Sequence, residues 1–326
     1  MERLAPFTLH RAGTAAQAAS LLASIPGARL IAGGTDLLPN LRRGIGAPPA
    51  LVDLSGIAGL DAVARDAQGW RFGAGVSLAT ISADAALVRE LPALAQAAAS
   101  VAGPGHRGVA TLGGNLCLDT RCVYYNQGEW WRRSNGYCLK YGGETCHVAP
   151  QGRRCHAAFS GDVAPALIAL DATVEIVGSR AARMLPLADL YADDGAACLR
   201  LAADELIVAV RIPPQPQGSR SGYRKARIRG AMDFPLAGVA ARVTCDGGRL
   251  SGLRLALTGT NARPLLLADT DALCGAVDEA MLAALGKRIG KQVSPMRTTV
   301  TASNYRRQVA IVLAQRLVRE LAAGAG

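Results

Sequence analysis

The chain has 326 residues, half of them apolar and only 4% aromatic, with 36 Lys and Arg against 25 Asp and Glu for a formal net charge of +11. That length can bury at least one full core and favours two or three domains, which excludes a disordered chain. No apolar run reaches the ~18 residues a membrane span needs, and the basic residues are scattered instead of forming one tail, so neither a membrane nor a nucleic-acid partner is expected.

The start, MERLAPFTLHRAG, lacks the charged head, apolar middle and small-residue cleavage site of a secretory signal, and a cytoplasmic location is expected. In a reducing compartment eight cysteines favour metal or redox roles over disulfides. The positive charge is nearly all arginine, with lysine only at Lys140, Lys225, Lys287 and Lys291. A solvated basic surface accounts for it; docking of acidic proteins is the functional alternative.

Thr14 with Gln17 three residues on forms a capping-box pattern ahead of AAQAASLLAS, and Pro26-Gly27 closes that helix. ARLIA reads as a strand, GGTD as a turn, and ALVDLS as a second strand after Pro48-Pro49, giving a small α/β lobe over residues 1–57. A second lobe, 58–215, opens with the strand WRFGAG and the helical patterns SLATISADAALVREL and PALAQAAASVA. It resumes after an unusual segment with short helix and strand signals in APALIAL, TVEIVG, ARMLPL and DELIVAVRIP. PPQPQGSRSG is a linker. Residues 216–326 then hold the strands GYRKARIRG, LAGVAARVTC and LSGLRLALTGT, a CDGGRL hairpin turn, and two helices. In the last helix Val309, Leu313, Leu317 and Leu321 repeat at helical spacing, a stripe suited to core or subunit contact.

Two glycine turns carry chemistry. Ala32-Gly33-Gly34-Thr35-Asp36 follows a predicted strand, and Thr111-Leu112-Gly113-Gly114-Asn115 repeats the pattern further on. Adjacent glycines let backbone amides approach an anion, so the pair can clamp a dinucleotide pyrophosphate; each alone is equally a tight turn. Neither fits the GxGxxG or Walker patterns.

RLIAGGTDLL, SVAGPGHRGVATLGGNL, GDVAPALIALDA, DELIVAVRIP, YRKARIRGAMDF and NYRRQVA together resemble the flavin-binding medium subunits of the xanthine dehydrogenase and aerobic carbon monoxide dehydrogenase group. The resemblance implies an α+β fold: a two-lobed FAD-binding region, with a small α/β lobe and a mixed or antiparallel sheet lobe, then a C-terminal α+β domain with a small antiparallel sheet and helices. It implies FAD held by Arg29, Leu30, Ile31, Ala32, Gly33, Gly34, Thr35 and Asp36, and by Val101, Ala102, Ala110, Thr111, Gly113, Gly114 and Asn115. Asp162 would meet a sugar or ribityl hydroxyl, with a helix N-cap as its alternative. Ile207 and Lys225 would lie by the isoalloxazine, with a solvated strand position as the alternative for Lys225.

Between the GGN turn and GDVAPAL, residues 117–158 form an insertion carrying Cys122, Cys138, Cys146 and Cys155, with Cys117 ahead of these four. A loop too short for its own core, with four thiols, points to a metal nucleus. Spacing alone leaves open a [4Fe-4S] cluster, a zinc ion aided by His147 or His156, or unligated thiols; the irregular gaps suit a cluster better than zinc knuckles. Arg121, Arg132, Arg133, Lys140, Arg153 and Arg154 outnumber Asp119, Glu129 and Glu144, which suits an anionic cluster. Tyr124, Tyr125, Trp130 and Trp131 can exclude water from it or pack the insertion down. Cys198, Cys245 and Cys274 read as small buried residues.

RCVYYNQGEWWR, GYCLKYGG, ETCH and RRCHA narrow the resemblance to the 4-hydroxybenzoyl-coenzyme A reductase branch, which implies that Cys122, Cys138, Cys146 and Cys155 ligate a [4Fe-4S] cluster. The implied role is electron transfer between a ferredoxin-like donor, the cluster, FAD, and [2Fe-2S] centres on a small partner subunit. A molybdenum cofactor on a large subunit completes the assembly, a dimer of heterotrimers that removes an aromatic ring hydroxyl. No nucleophile and base pair, carboxylate dyad or molybdenum ligand stands out, so no catalytic residue is expected on this chain. The alternatives are a flavin subunit of another aromatic or heterocycle hydroxylase or dehydrogenase of the same family, and a zinc-stabilised nucleotide-binding assembly protein.

Overall fold

In the computed structural model, which describes residues 4–297 and 301–324, three sheets follow one another along the chain. Residues 1–3, the head of the N-terminal segment considered above, lie outside it. The first sheet is wholly parallel, order β1-β3-β2, and is built from β1 (Thr8–Arg11), α1 (Ala15–Ser24), β2 (Arg29–Ile31), α2 (Leu37–Leu41) and β3 (Ala50–Asp53). The Thr14 hydroxyl oxygen accepts the Gln17 N–H at 3.1 Å and the Gln17 side chain accepts the Gly13 N–H at 2.8 Å, so the box closes one residue early. Helix α1 then turns Ala18, Ala19 and Leu22 into the core. The sequence reading lacks β1 and α2. Strand β1 leaves three of its four residues exposed, so it carries no apolar alternation, and α2 is too short to show a period.

The second sheet is antiparallel, order β4-β5-β8-β6-β7. Its strands β4 (Val63–Asp66) and β5 (Gly69–Gly73) precede a run of helices: α3 (Leu78–Ala83), α4 (Ala85–Glu90), α5 (Pro92–Ala99), α6 (Pro104–Arg107), α7 (Leu112–Leu116), α8 (Glu129–Ser134) and α9 (Val163–Ala169). Strands β6 (Thr173–Val177), β7 (Ala182–Pro186) and β8 (Leu206–Ile212) complete it. Ser77 and Asp84 accept amides at the starts of α3 and α4, as capping chemistry requires. Every residue of α9 is buried, which is why VAPALIA is apolar all round.

The insertion leaves after α7 and returns before α9. Its neck is shut by an antiparallel bridge in which Arg121 and Ala158 exchange both N–H···O bonds at 3.0 Å. Inside it, α8 and a 3-10 turn at Leu139–Tyr141 surround a small core of Ile45, Cys122, Tyr125, Cys155 and Ala157, separate from the two large ones.

The third sheet, order β12-β11-β10-β9, is antiparallel: β9 (Ser219–Ala226), β10 (Ala237–Asp246), β11 (Arg249–Thr258) and β12 (Leu265–Leu266). Gly247 (φ +53°) and Gly248 (φ +77°) form the predicted hairpin turn, where two positive φ angles are needed in succession. Helices α10 (Glu279–Gln292) and α11 (Ser303–Ala323) cover this sheet. The α11 stripe is core: Leu317 and Leu321 are buried and Val309 and Leu313 pack against them. Cys198 is buried as expected, but Cys245 is half-buried at a strand end and Cys274 is exposed beyond a 3-10 turn, because both lie where the sheet frays into loops. Among the described residues no helix is long and apolar enough to cross a membrane.

Candidate functional site

The two glycine turns meet. A Cβ placed on Gly33 would lie 1.9 Å from the Val109 carbonyl oxygen, so the first turn rests directly on the backbone entering the second. Gly34 has φ +67°. The amides of Gly33, Gly34 and Thr35 donate to no protein group among the described residues, leaving consecutive N–H donors of the kind that bind anions.

The second turn is built differently. Gly113 N–H donates to the Ala74 carbonyl at 2.8 Å, Leu112 N–H to the Val76 carbonyl at 2.9 Å, and Gly114 N–H to the Thr111 hydroxyl oxygen at 3.1 Å. Its amides are therefore spent within the fold, and what it offers is a bare surface: a Cβ on Gly114 would meet only the Thr111 hydroxyl, at 3.0 Å. The first turn presents donors and the second presents clearance.

From this junction the remaining predicted flavin residues form a connected shell. The Asn115 side-chain oxygen accepts the Val163 N–H at 3.2 Å, so Asn115 caps α9 in place of Asp162, whose own side chain caps nothing. The freed Asp162 carboxylate accepts the Lys225 ammonium at 2.9 Å and the Tyr223 hydroxyl at 2.6 Å. With their side chains 5% and 4% exposed, Asp162 and Lys225 form a buried pair, so Lys225 is not a solvated strand residue. Burial pushes the Asp162 carboxyl above the usual range, with the Lys225 charge and the Tyr223 hydroxyl acting against that. Lys225 also donates to the Ser100 carbonyl at 3.2 Å, which sets it beside Val101 and Ala102, the latter at φ +42°. Ile207, buried in β8, connects through Val208, whose carbonyl accepts the Ala74 N–H, to the strand end under Gly113. Arg29, Leu30, Ile31 and Ala32 run along β2 into the first turn, and Ala110 leads into the second. Tyr223 is absent from the sequence reading. Its signal was its position two residues before Lys225 on β9, which places both on one face.

The four predicted thiols also come together. Cys122, Cys138, Cys146 and Cys155 line one tight cavity with Tyr124, Tyr125, Lys140 and His147 among its other walls. The Tyr125 N–H points at the Cys122 sulfur (3.3 Å) and the Ala157 N–H at the Cys155 sulfur (3.4 Å), contacts that favour thiolate. Burial outweighs that help, pushing Cys155 up to about 11 and Cys122 upward. Cys117 is not in the lining; burial pushes it up to about 12. The His147 Nε2 lies 2.6 Å from the Tyr137 carbonyl oxygen, and the ring packs on Tyr124. Trp131 packs on Tyr124, but Trp130 is 72% exposed and shields nothing, because α8 turns it outward.

The two centres share a frame. The Arg121 guanidinium, one residue before Cys122, donates to the Asp36 carboxylate of the first turn at 2.6 Å. Arg132 and the Tyr141 hydroxyl both donate to the Gly44 carbonyl, at 2.9 and 3.0 Å, seating the insertion on the loop after α2. A cleft of about 720 Å³ opens beside this contact, lined by Gly34, Leu38, Arg42 and Gln127.

Residues 5–215 match the family described as the FAD binding domain in molybdopterin dehydrogenase, and residues 221–321 the CO dehydrogenase flavoprotein C-terminal domain. The chain is 30% identical over 97% of its length to the putative xanthine dehydrogenase FAD-binding subunit XdhB of Escherichia coli, covering 96% of that protein. It is 37% identical over 82% of its length to the aldehyde oxidoreductase FAD-binding subunit PaoB of the same organism, covering 85% of it. Among solved structures it matches a chain of the reconstituted CO dehydrogenase from Oligotropha carboxidovorans with a TM-score of 0.81 at 24% identity, over 99% of both chains, a likeness of fold that bears out the α+β expectation.

Proposed function

The chain belongs to the family of FAD-binding subunits of molybdenum-dependent dehydrogenases, and from that premise we propose that it is an electron-transfer subunit that holds a [4Fe-4S] cluster as well as FAD. The observation that carries the second cofactor is the gathering of Cys122, Cys138, Cys146 and Cys155 around a single cavity. The irregular gaps between these four cysteines suit a cluster, which gives each thiolate its own iron, better than the paired knuckles of a structural zinc site.

In this reading the free amides of Gly33, Gly34 and Thr35 hold the pyrophosphate, and Gly114 leaves room for it. Asp162, Lys225 and Ile207 bound the far end of the flavin site, and Tyr125 and Tyr124 keep water from the thiolates. The two groups would supply electron storage and single-electron exchange between an external ferredoxin-like carrier and the [2Fe-2S] centres of a small partner subunit, which serve a molybdenum cofactor on a large one. The relative of Afipia carboxidovorans named a carbon monoxide dehydrogenase medium chain fits such a division of labour.

The relatives favour a dehydrogenase or hydroxylase acting on an aldehyde, an aromatic compound or a heterocycle. The reductive 4-hydroxybenzoyl-coenzyme A reaction is the second reading, supported by the cysteine insertion alone. Anaerobic purification with quantified iron, zinc and flavin tests the proposal: about four irons and one FAD per chain support it. One zinc without iron sinks the redox role of the insertion.

A further inference from the structure

Only four of the 36 basic side chains are lysines, and Lys140 is buried in the wall of the four-cysteine cavity. Its side chain is 6% exposed. The ammonium donates to the Asp119 carboxylate at 2.6 Å, to the Thr120 carbonyl at 2.8 Å, to the Gly195 carbonyl at 2.9 Å, and to the Thr120 hydroxyl oxygen. It also stands 4.8 Å from the centre of the Tyr125 ring, another wall of the same cavity. With so many acceptors, the charge has no freedom to swing away. Its counterion is placed asymmetrically: Asp119 does not line the cavity, and 31% of its side chain is open to solvent, which screens it. The cavity therefore faces the cation more than the anion. The other two buried cations of the insertion point elsewhere, Arg121 to Asp36 and Arg132 to Gly44, Glu129, Tyr125 and Gln127.

We infer that Lys140 is a fixed positive charge that raises the reduction potential of a cluster held by Cys122, Cys138, Cys146 and Cys155, an inference that rests on the four-thiolate reading. Reduction adds one negative charge to an already anionic group, and a cation locked in a low-dielectric wall favours the reduced form. A role as a mere staple between Thr120 and Gly195 would leave the potential where it is.

The test is a potentiometric titration of the purified complex, followed by electron paramagnetic resonance, with iron counted in each variant. Lys140→Met is expected to keep its iron and to lower the reduction equilibrium constant at least tenfold, a fall of about 59 mV for one electron. Lys140→Arg should stay near the wild-type midpoint. An iron-replete Lys140→Met protein with an unshifted midpoint overturns the inference. If Lys140→Met loses its cluster, Lys140→Gln decides, since its amide can still donate to the Thr120 and Gly195 oxygens without carrying the charge. A lowered midpoint there supports the inference, and an unchanged or raised one overturns it. Wild-type protein without iron would instead overturn the four-thiolate reading itself.

Discussion

Replacing Gly33 by Ala should loosen the fold and the flavin together. A Cβ there would sit 1.9 Å from the Val109 oxygen, 2.6 Å from its carbonyl carbon and 3.1 Å from the Ala110 nitrogen, and all three are backbone atoms that cannot rotate away. Restoring even a 3.0 Å contact requires the two turns to part by 1.1 Å, the difference between 3.0 and 1.9. Forced overpacking of this kind costs about 1–3 kcal/mol. At roughly 2–4 °C per kcal/mol for a domain of this size, the apo-protein should melt about 2–12 °C lower. Thermal melting of the flavin-free protein and bound flavin after gel filtration are the two readings. Gly105→Ala is the control, because nothing lies within 4 Å of its Cβ and its φ is not positive. A Gly33→Ala protein with the melting temperature and flavin content of the control would refute the packing of turn on turn.

Gly114→Val separates ligand clearance from the contact of turn on turn: its Cβ meets only the Thr111 hydroxyl, at 3.0 Å, so bound FAD should fall far more than the melting temperature, and normal FAD stoichiometry would argue against the clamp. Cys138→Ser should lose or degrade the cluster while keeping most of the flavin, since the two sets of holding residues are disjoint; full iron content by metal analysis would contradict the ligand assignment. Glu175 accepts Arg71 at 2.7 Å and Arg211 at 2.5 Å across β5, β6 and β8, and those guanidiniums hold its carboxyl below the usual carboxylate range. A depressed folded value means stabilisation present above the unfolded pKa of ~4.3 and lost as pH falls through the folded one. Urea midpoints should therefore fall between about pH 5 and 3 in the wild type and change less in Glu175→Gln; equal slopes would exclude the coupling.

What could be read from residues alone was whatever a residue type does by itself. Consecutive glycines, a capping threonine and four thiols in one short insertion announce themselves wherever the chain puts them. The difference between the two glycine turns was hidden, because it depends on the carbonyls of Ala74 and Val76, which a distant strand brings beneath the second turn. Strands β1 and β4 escaped for the opposite reason: each leaves three of its four residues exposed, so neither carries a buried face to write a pattern. Asp162 showed its position but not its role, since the side chain that relieves it of capping, Asn115, comes 48 residues before the Val163 amide it binds. The scarcity of lysine was in the composition from the start. That two of the four lysines are buried, one at each centre, needed the third dimension.

The paired hydrogen bonds between Arg121 and Ala158 bear on what the insertion costs its host. A segment that departs and rejoins at one backbone clasp adds little loop-closure entropy to its host, since that cost grows only logarithmically with length. Its length can therefore vary at little cost to the sheets on either side of the clasp.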